Sequence, residues 1–189
     1  MQQYIKSALF AIFLITLIPG YTAAAEYVSA KKCKTCHIKQ YKSWLETGMA
    51  ESFENLKAGI KGEEKIKAGL DPAKDYTSDP ACLKCHTTGY GKPGGFVSLE
   101  QTPELINVQC EGCHGPGGDF RVIMKKNKKF TLAEVDAAGL ILPSETNNNC
   151  LECHGEESPF NEKLDPKYKF DFKERVKNTH EHFPLKYKH

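Results

Sequence analysis

The chain has 189 residues, with 26 Lys and Arg against 24 Asp and Glu, 40% hydrophobic residues, 8 Cys and 7 His. That length suits one domain with a sizeable core, and bases interleaved with acids argue against nucleic-acid binding. A net charge of +2 with 10% aromatics excludes a disordered chain, and the single long apolar run excludes a polytopic membrane protein.

That run lies at the N-terminus, in MQQYIKSALFAIFLITLIPGYTAAA at residues 1–25. Lys6 supplies a positive start, Ala8 to Ile18 are apolar, Pro19-Gly20 breaks the segment, and Ala23-Ala24-Ala25 offers the small residues of a cleavage site. This is the layout of a secretory signal cleaved after Ala25. The apolar stretch is too short to span about 30 Å of hydrocarbon. The expectation is therefore a single mature domain, residues 26–189, in a bacterial periplasm and without a transmembrane anchor.

From Ile38 to Leu56 the apolar residues Tyr41, Trp44, Leu45, Met49, Phe53 and Leu56 recur at spacings of three and four, which predicts an amphipathic helix. Glu63 to Leu70 predicts a second helix ending near Gly69, before Asp71-Pro72. The GYGKPGG segment at Gly89–Gly95 predicts a loop. Phe96–Leu99 and Leu105–Gln109 read as two short strands able to pair. Gly115-Pro116-Gly117-Gly118 permits a tight turn, after which Asp119 to Lys126 can form a helix. Thr131-x-x-Glu134 is a capping box before another helical turn, and a final helix is predicted over Asp171 to His182. The fold class is mainly α, with little or short β structure.

All eight cysteines fall in one repeated pattern: Cys33-Lys-Thr-Cys36-His37, Cys82-Leu-Lys-Cys85-His86, Cys110-Glu-Gly-Cys113-His114 and Cys150-Leu-Glu-Cys153-His154. C-x-x-C-H is the attachment signature of c-type haem. Two thiols add to the two vinyl groups on one edge of the porphyrin, and the next residue carries its imidazole to the iron as proximal ligand. Zinc or iron–sulfur sites, thioredoxin-type pairs and four disulfides compete for the same cysteines, but none needs a His after every second Cys. The reading is four covalently attached haem c groups. Roughly 160 mature residues leave about 40 per macrocycle, so porphyrins supply most of the core of a chain whose mean hydropathy is −0.51. Haems so crowded lie close enough to exchange electrons. The remaining candidates for the opposite faces of the irons are His180, His182, His189, Met49 and Met124.

Several segments resemble the tetrahaem cytochrome c-554 family of ammonia-oxidising bacteria: KKCKTCH at Lys31–His37 with Ser43-Trp44, LDPAKDYT at Leu70–Thr77, GYGKPGG, CEGCHGPG at Cys110–Gly117 with Phe120-Arg121, and KYKFDF at Lys167–Phe172 leading into HEH at His180–His182. The resemblance implies three six-coordinate haems and an open second haem, on Cys82, Cys85 and His86. It implies that His180 ligates the fourth haem, with His182 turned to another side of the helix. It implies distal ligands at Met49 for the third haem and at Met124 for the first, where the family has histidines. His/Met ligation would raise reduction potentials. Packing offers the plainer role for both methionines, Met49 lying on an apolar face with Leu45 and Phe53.

The expected function is an electron carrier between redox partner proteins. The resemblance implies a hydroxylamine oxidoreductase-like multihaem donor and a membrane-bound or soluble cytochrome as acceptor. A reductase or sensor for nitric oxide, hydroxylamine or nitrite at an open second haem is the alternative, and a conductive module docking with copies of itself ranks last. The Lys125–Lys129 stretch and the Lys-rich segment from Lys163 onward are candidate partners for haem propionates or an acidic protein.

Overall fold

The computed structural model describes residues 25–147 and 149–182. The expected signal segment up to residue 24, and His189, lie outside the described residues. Among the described residues, nine short helices carry the fold: α1 (Ala30–Cys33), α2 (Ile38–Trp44), α3 (Gly62–Lys67), α4 (Pro80–His86), α5 (Cys110–His114), α6 (Gly118–Lys126), α7 (Leu132–Ala137), α8 (Leu151–His154) and α9 (Phe172–Arg175). Among the described residues there is no strand, only an isolated bridge between Thr87 and Ile106. None of the described helices is long and apolar enough to cross a membrane.

The predicted helix over Ile38–Leu56 is broken. It stops at Trp44, and a 3₁₀ turn covers Ser52–Leu56. Between them the backbone turns outward to a distant segment in place of its own next turn. Val108 N–H donates to Met49 O (3.2 Å) and Ser52 Oγ (3.1 Å), Phe53 N–H to Asn107 Oδ1 (2.8 Å), and Trp44 Nε1 to Val108 O (3.0 Å). Gly48 supplies the poor helix former at which the switch happens. Met49 therefore sits half-buried in a turn and not on a helical face.

The two predicted strands do not pair either. Phe96 N–H donates to Thr88 O (3.0 Å), while Thr88 N–H donates to Leu105 O (2.9 Å), so Thr88 lies between them. Pro103 starts a 3₁₀ turn at Pro103–Leu105, which takes up the first residue of the second expected strand. The GYGKPGG segment is a turn in which Gly89 and Gly95 touch backbone to backbone. A Cβ on Gly95 would fall on the Gly89 carbonyl.

Other boundaries follow local chemistry. Gly69, at φ 71°, takes the left-handed position just past α3, and Leu70 N–H returns to Lys65 O at 2.8 Å. Thr131 and Glu134 form the predicted capping box at α7. The predicted helix over Asp171–His182 shortens to α9 and a 3₁₀ turn at Val176–Asn178. Asp171 caps it from its side chain onto Glu174 N–H (3.1 Å), and His180 to His182 lie beyond its end.

The apolar core is divided. One cluster joins Phe53, Leu56, Tyr76, Leu83, Phe96 and Leu105 around α4, and a second joins Phe120, Phe130 and Val135 between α6 and α7. At about 1.5–3 kcal/mol per buried side chain, these are small cores for a chain of this length.

Candidate haem-attachment sites

Each C-x-x-C-H motif folds as one turn of helix. His37 N–H donates to Cys33 O (3.0 Å) and His154 N–H to Cys150 O (2.9 Å), the i to i+4 bonds of a helical turn, while the second and third motifs lie within α4 and α5. Residues i, i+3 and i+4 share a face of a helix, so both thiols and the imidazole of a motif point the same way.

The motifs come together in two pairs. α1 packs on α5 and α4 on α8. The Cys33 thiol lies near that of Cys110, and the Cys85 thiol near that of Cys153. First meets third, and second meets fourth. Asn149 adds a link between the third and fourth, its Nδ2 donating to Cys113 O at 2.9 Å. All eight thiols are free of disulfides, and among the described residues no three His, Cys, Asp or Glu side chains gather into a metal-ion cluster. Burial pushes the Cys113 thiol up to about 11.

A clamp holds the first motif on the third. Glu111 is 2% exposed, and its carboxylate accepts from Val28 N–H (2.9 and 3.1 Å), Ser29 N–H (2.8 Å) and Gly117 N–H (2.6 Å). Gln109 Oε1 accepts from Ala30 N–H (2.5 Å), and Gly118 N–H donates to Glu26 O (2.9 Å). These bonds hold Ser29 at φ 68°, a conformation that costs a non-glycine residue about 1–3 kcal/mol.

The imidazoles are oriented for metal binding. His86 Nδ1 bonds Ser52 O (2.5 Å) and His114 Nδ1 bonds Ile141 O (2.9 Å), which leaves Nε2 as the ligating nitrogen. The His154 ring stacks on Phe170 at 5.3 Å and 10°. Burial lowers the pKa of His37, His86, His114 and His154, favouring the neutral form that binds metal.

The His180 ring lies 6.2 Å from that of His114, in the third motif, and its Nδ1 bonds Glu181 O at 2.9 Å. His182 does not turn away, because the helix has ended. Its ring is 4.5 Å from that of His180, and its Nε2 is engaged with Val176 O (3.0 Å). Met124 packs on the second apolar cluster, beside Ile123, Ala138 and Leu140.

A haem also brings carboxylates, and the chain holds a donor for one. Arg121 Nε is buried without a hydrogen-bond acceptor, on the helix that follows the third motif. Oriented imidazoles, paired thiols and this guanidinium nitrogen together fit haem c. Glu111, Gln109, Phe170 and the Ser52 and Ile141 carbonyls were not singled out by sequence reasoning. An acid inside a haem motif, in CEGCH, was the one signal that pointed to any of them.

The family described as "Cytochrome c554 and c-prime" matches residues 32–115. Cytochrome c-554 of Nitrosomonas europaea is 37% identical over 210 residues, covering 98% of this chain and 88% of that protein. The structure of reduced cytochrome c554 from the same organism superposes with a TM-score of 0.75 at 39% identity, covering 87% of this chain and 89% of that one. With two small apolar clusters, helical C-x-x-C-H turns and this likeness over nearly its whole length, the chain belongs to the cytochrome c-554 family.

Proposed function

We propose that the chain is a periplasmic electron carrier with four covalently attached haem c groups, relaying electrons between redox partner proteins. The observation that carries the reading is the docking of its four C-x-x-C-H turns in two contiguous pairs, Cys33 on Cys110 and Cys85 on Cys153. Bound haem c supplies a one-electron redox centre.

The chain's own residues hold and tune those centres. Cys33 and Cys36, Cys82 and Cys85, Cys110 and Cys113, and Cys150 and Cys153 fix their edges. His37, His86, His114 and His154 are the proximal ligands, oriented at His86 and His114 by backbone carbonyls. His180, whose ring lies beside that of His114, would supply a further imidazole ligand, and Met49 and Met124 would supply sulfur ligands. The donor is a hydroxylamine oxidoreductase-like multihaem enzyme and the acceptor a membrane-bound or soluble cytochrome.

The intact mass of the exported protein tests the attachment, and an anaerobic potentiometric titration tests the relay. The expected result is a chain starting at Glu26 with four haems and four one-electron steps, at least two well above the range of bis-His haems. A protein with fewer haems, or one whose potentials are uniformly low, would overturn the count or the methionine ligation respectively.

A further inference from the structure

We infer that the first haem motif is the docking face for an acidic redox protein, and that electrons cross the surface of the molecule there. The inference rests on the electron-carrier reading above. Between Glu26 and Glu46 the chain holds Lys31, Lys32, Lys34, Lys39 and Lys42 and no acid. All five lysines are exposed, and they ring the turn Thr35-Cys36-His37, which is itself exposed. The lysines sit on α1, on the turn and on α2, so the helical framework of the motif presents them.

Ion pairing sets this collar apart. Lys57, Lys74, Lys163, Lys167, Lys173 and Lys177 each form a salt bridge with a carboxylate. Lys31, Lys32, Lys34 and Lys42 take part in none. Lys34 lies over the Tyr41 ring, its ammonium 5.1 Å from the centroid. Glu181 reaches this side, its N–H donating to Ser43 Oγ (2.8 Å), and leaves the face strongly positive. The other motifs differ. Glu111 is buried in the third, and Glu152, Glu156 and Glu157 flank the fourth.

The collar also has an apolar element, Ile38 at 52% and Leu45 at 48% exposed, both on or beside α2. A small apolar contact within a ring of one charge suits the brief, small interfaces of electron-transfer encounters, in which charge steers association and salt weakens it. A protein partner fits better than a lipid surface, because the charges gather about a single haem motif and its small apolar contact at Ile38 and Leu45.

The test uses the holoprotein and reduced flavodoxin, a small acidic electron carrier, as probe. Stopped-flow mixing at low ionic strength measures the rate of haem reduction. In the triple variant Lys31→Glu, Lys34→Glu, Lys42→Glu the second-order rate constant is expected to fall at least tenfold and to lose its salt dependence. Reduction by neutral reduced lumiflavin is expected to stay within twofold, which shows that the haems remain intact and accessible. The control Lys61→Glu, Lys67→Glu, Lys92→Glu, at exposed positions outside the collar, is expected to leave the flavodoxin rate within twofold. Equal losses in the two triple variants would overturn the inference, since net charge alone would then account for the rate. Collar-dependent pelleting with phosphatidylglycerol vesicles, with no effect on the flavodoxin rate, would overturn it in favour of a membrane. Collar-dependent binding of flavodoxin without electron transfer would instead overturn the carrier reading and support the docking face.

Discussion

Glu111 is the residue at which this fold should be easiest to break from a distance. Replacing it with alanine strands the N–H groups of Val28, Ser29 and Gly117, the last two in buried bonds. An orphaned buried donor costs about 1–3 kcal/mol, so the three together come to about 4 kcal/mol once water reaches Val28. At about 2–4 °C per kcal/mol for a chain of this size, Glu111→Ala is expected to lower Tm by about 8–16 °C. Glutamine keeps one acceptor oxygen, and its cost is about 1–2 kcal/mol. Burial raises the Glu111 carboxyl above its ordinary 4.5, more than its N–H donors and Arg121 lower it. A carboxyl raised in the folded state binds more protons folded than unfolded, so its contribution to stability falls as pH rises from the ordinary value through the raised one. The native protein should show that falling limb and Glu111→Gln should not. Thermal unfolding of the holoprotein, followed at the Soret band across pH, measures both. A Glu111→Ala protein within 2 °C of the native Tm would refute the accounting.

Three further outcomes follow from the geometry. Gly115 has φ +78°, and a Cβ there would lie 2.5 Å from Gly139 O; Gly115→Ala is expected to cost at least about 2 kcal/mol and to disturb the His114–Ile141 bond, read as a lower Tm with an altered low-spin signal. His180→Ala should convert one haem to high spin in the EPR spectrum while His182→Ala leaves the spectrum unchanged, and the reverse pattern would remove His180 as a ligand. Met124→Leu conserves packing volume, so stability should change by less than about 1.5 kcal/mol, while the far-red sulfur-to-iron band weakens; an unchanged band would leave packing as the whole role of Met124.

The parts of this molecule most legible in its sequence are those whose information is local. The Thr131–Glu134 box, the Gly89–Gly95 turn and the helix after Gly117 are each specified within a few residues, and the structure has them where they were expected. The long helix over Ile38–Leu56 was misread because its backbone groups find partners at Asn107 and Val108, more than fifty residues away, and periodicity carries no trace of them. The same holds for Thr88, which separates the two expected strands. The end of the last helix was missed for a related reason: the helix expected to reach His182 stops at Arg175, and the place of His180 follows from where the chain runs after it. Glu111 stood in plain view inside a motif, but its donors at Val28 and Ser29 belong to a segment 83 and 82 residues earlier.

The alternation of the paired motifs along the chain makes the molecule indivisible. Because the first motif docks on the third and the second on the fourth, a cut anywhere between the second and third severs both partnerships at once. Neither half would keep a matched couple, and neither could have been an ancestral two-haem unit in its present form. During synthesis the earliest attachment turn waits for residues 109–118 to emerge before its own flank is secured. Domain boundaries, permutation points and fusion junctions are therefore best sought outside the stretch from Glu26 to His154.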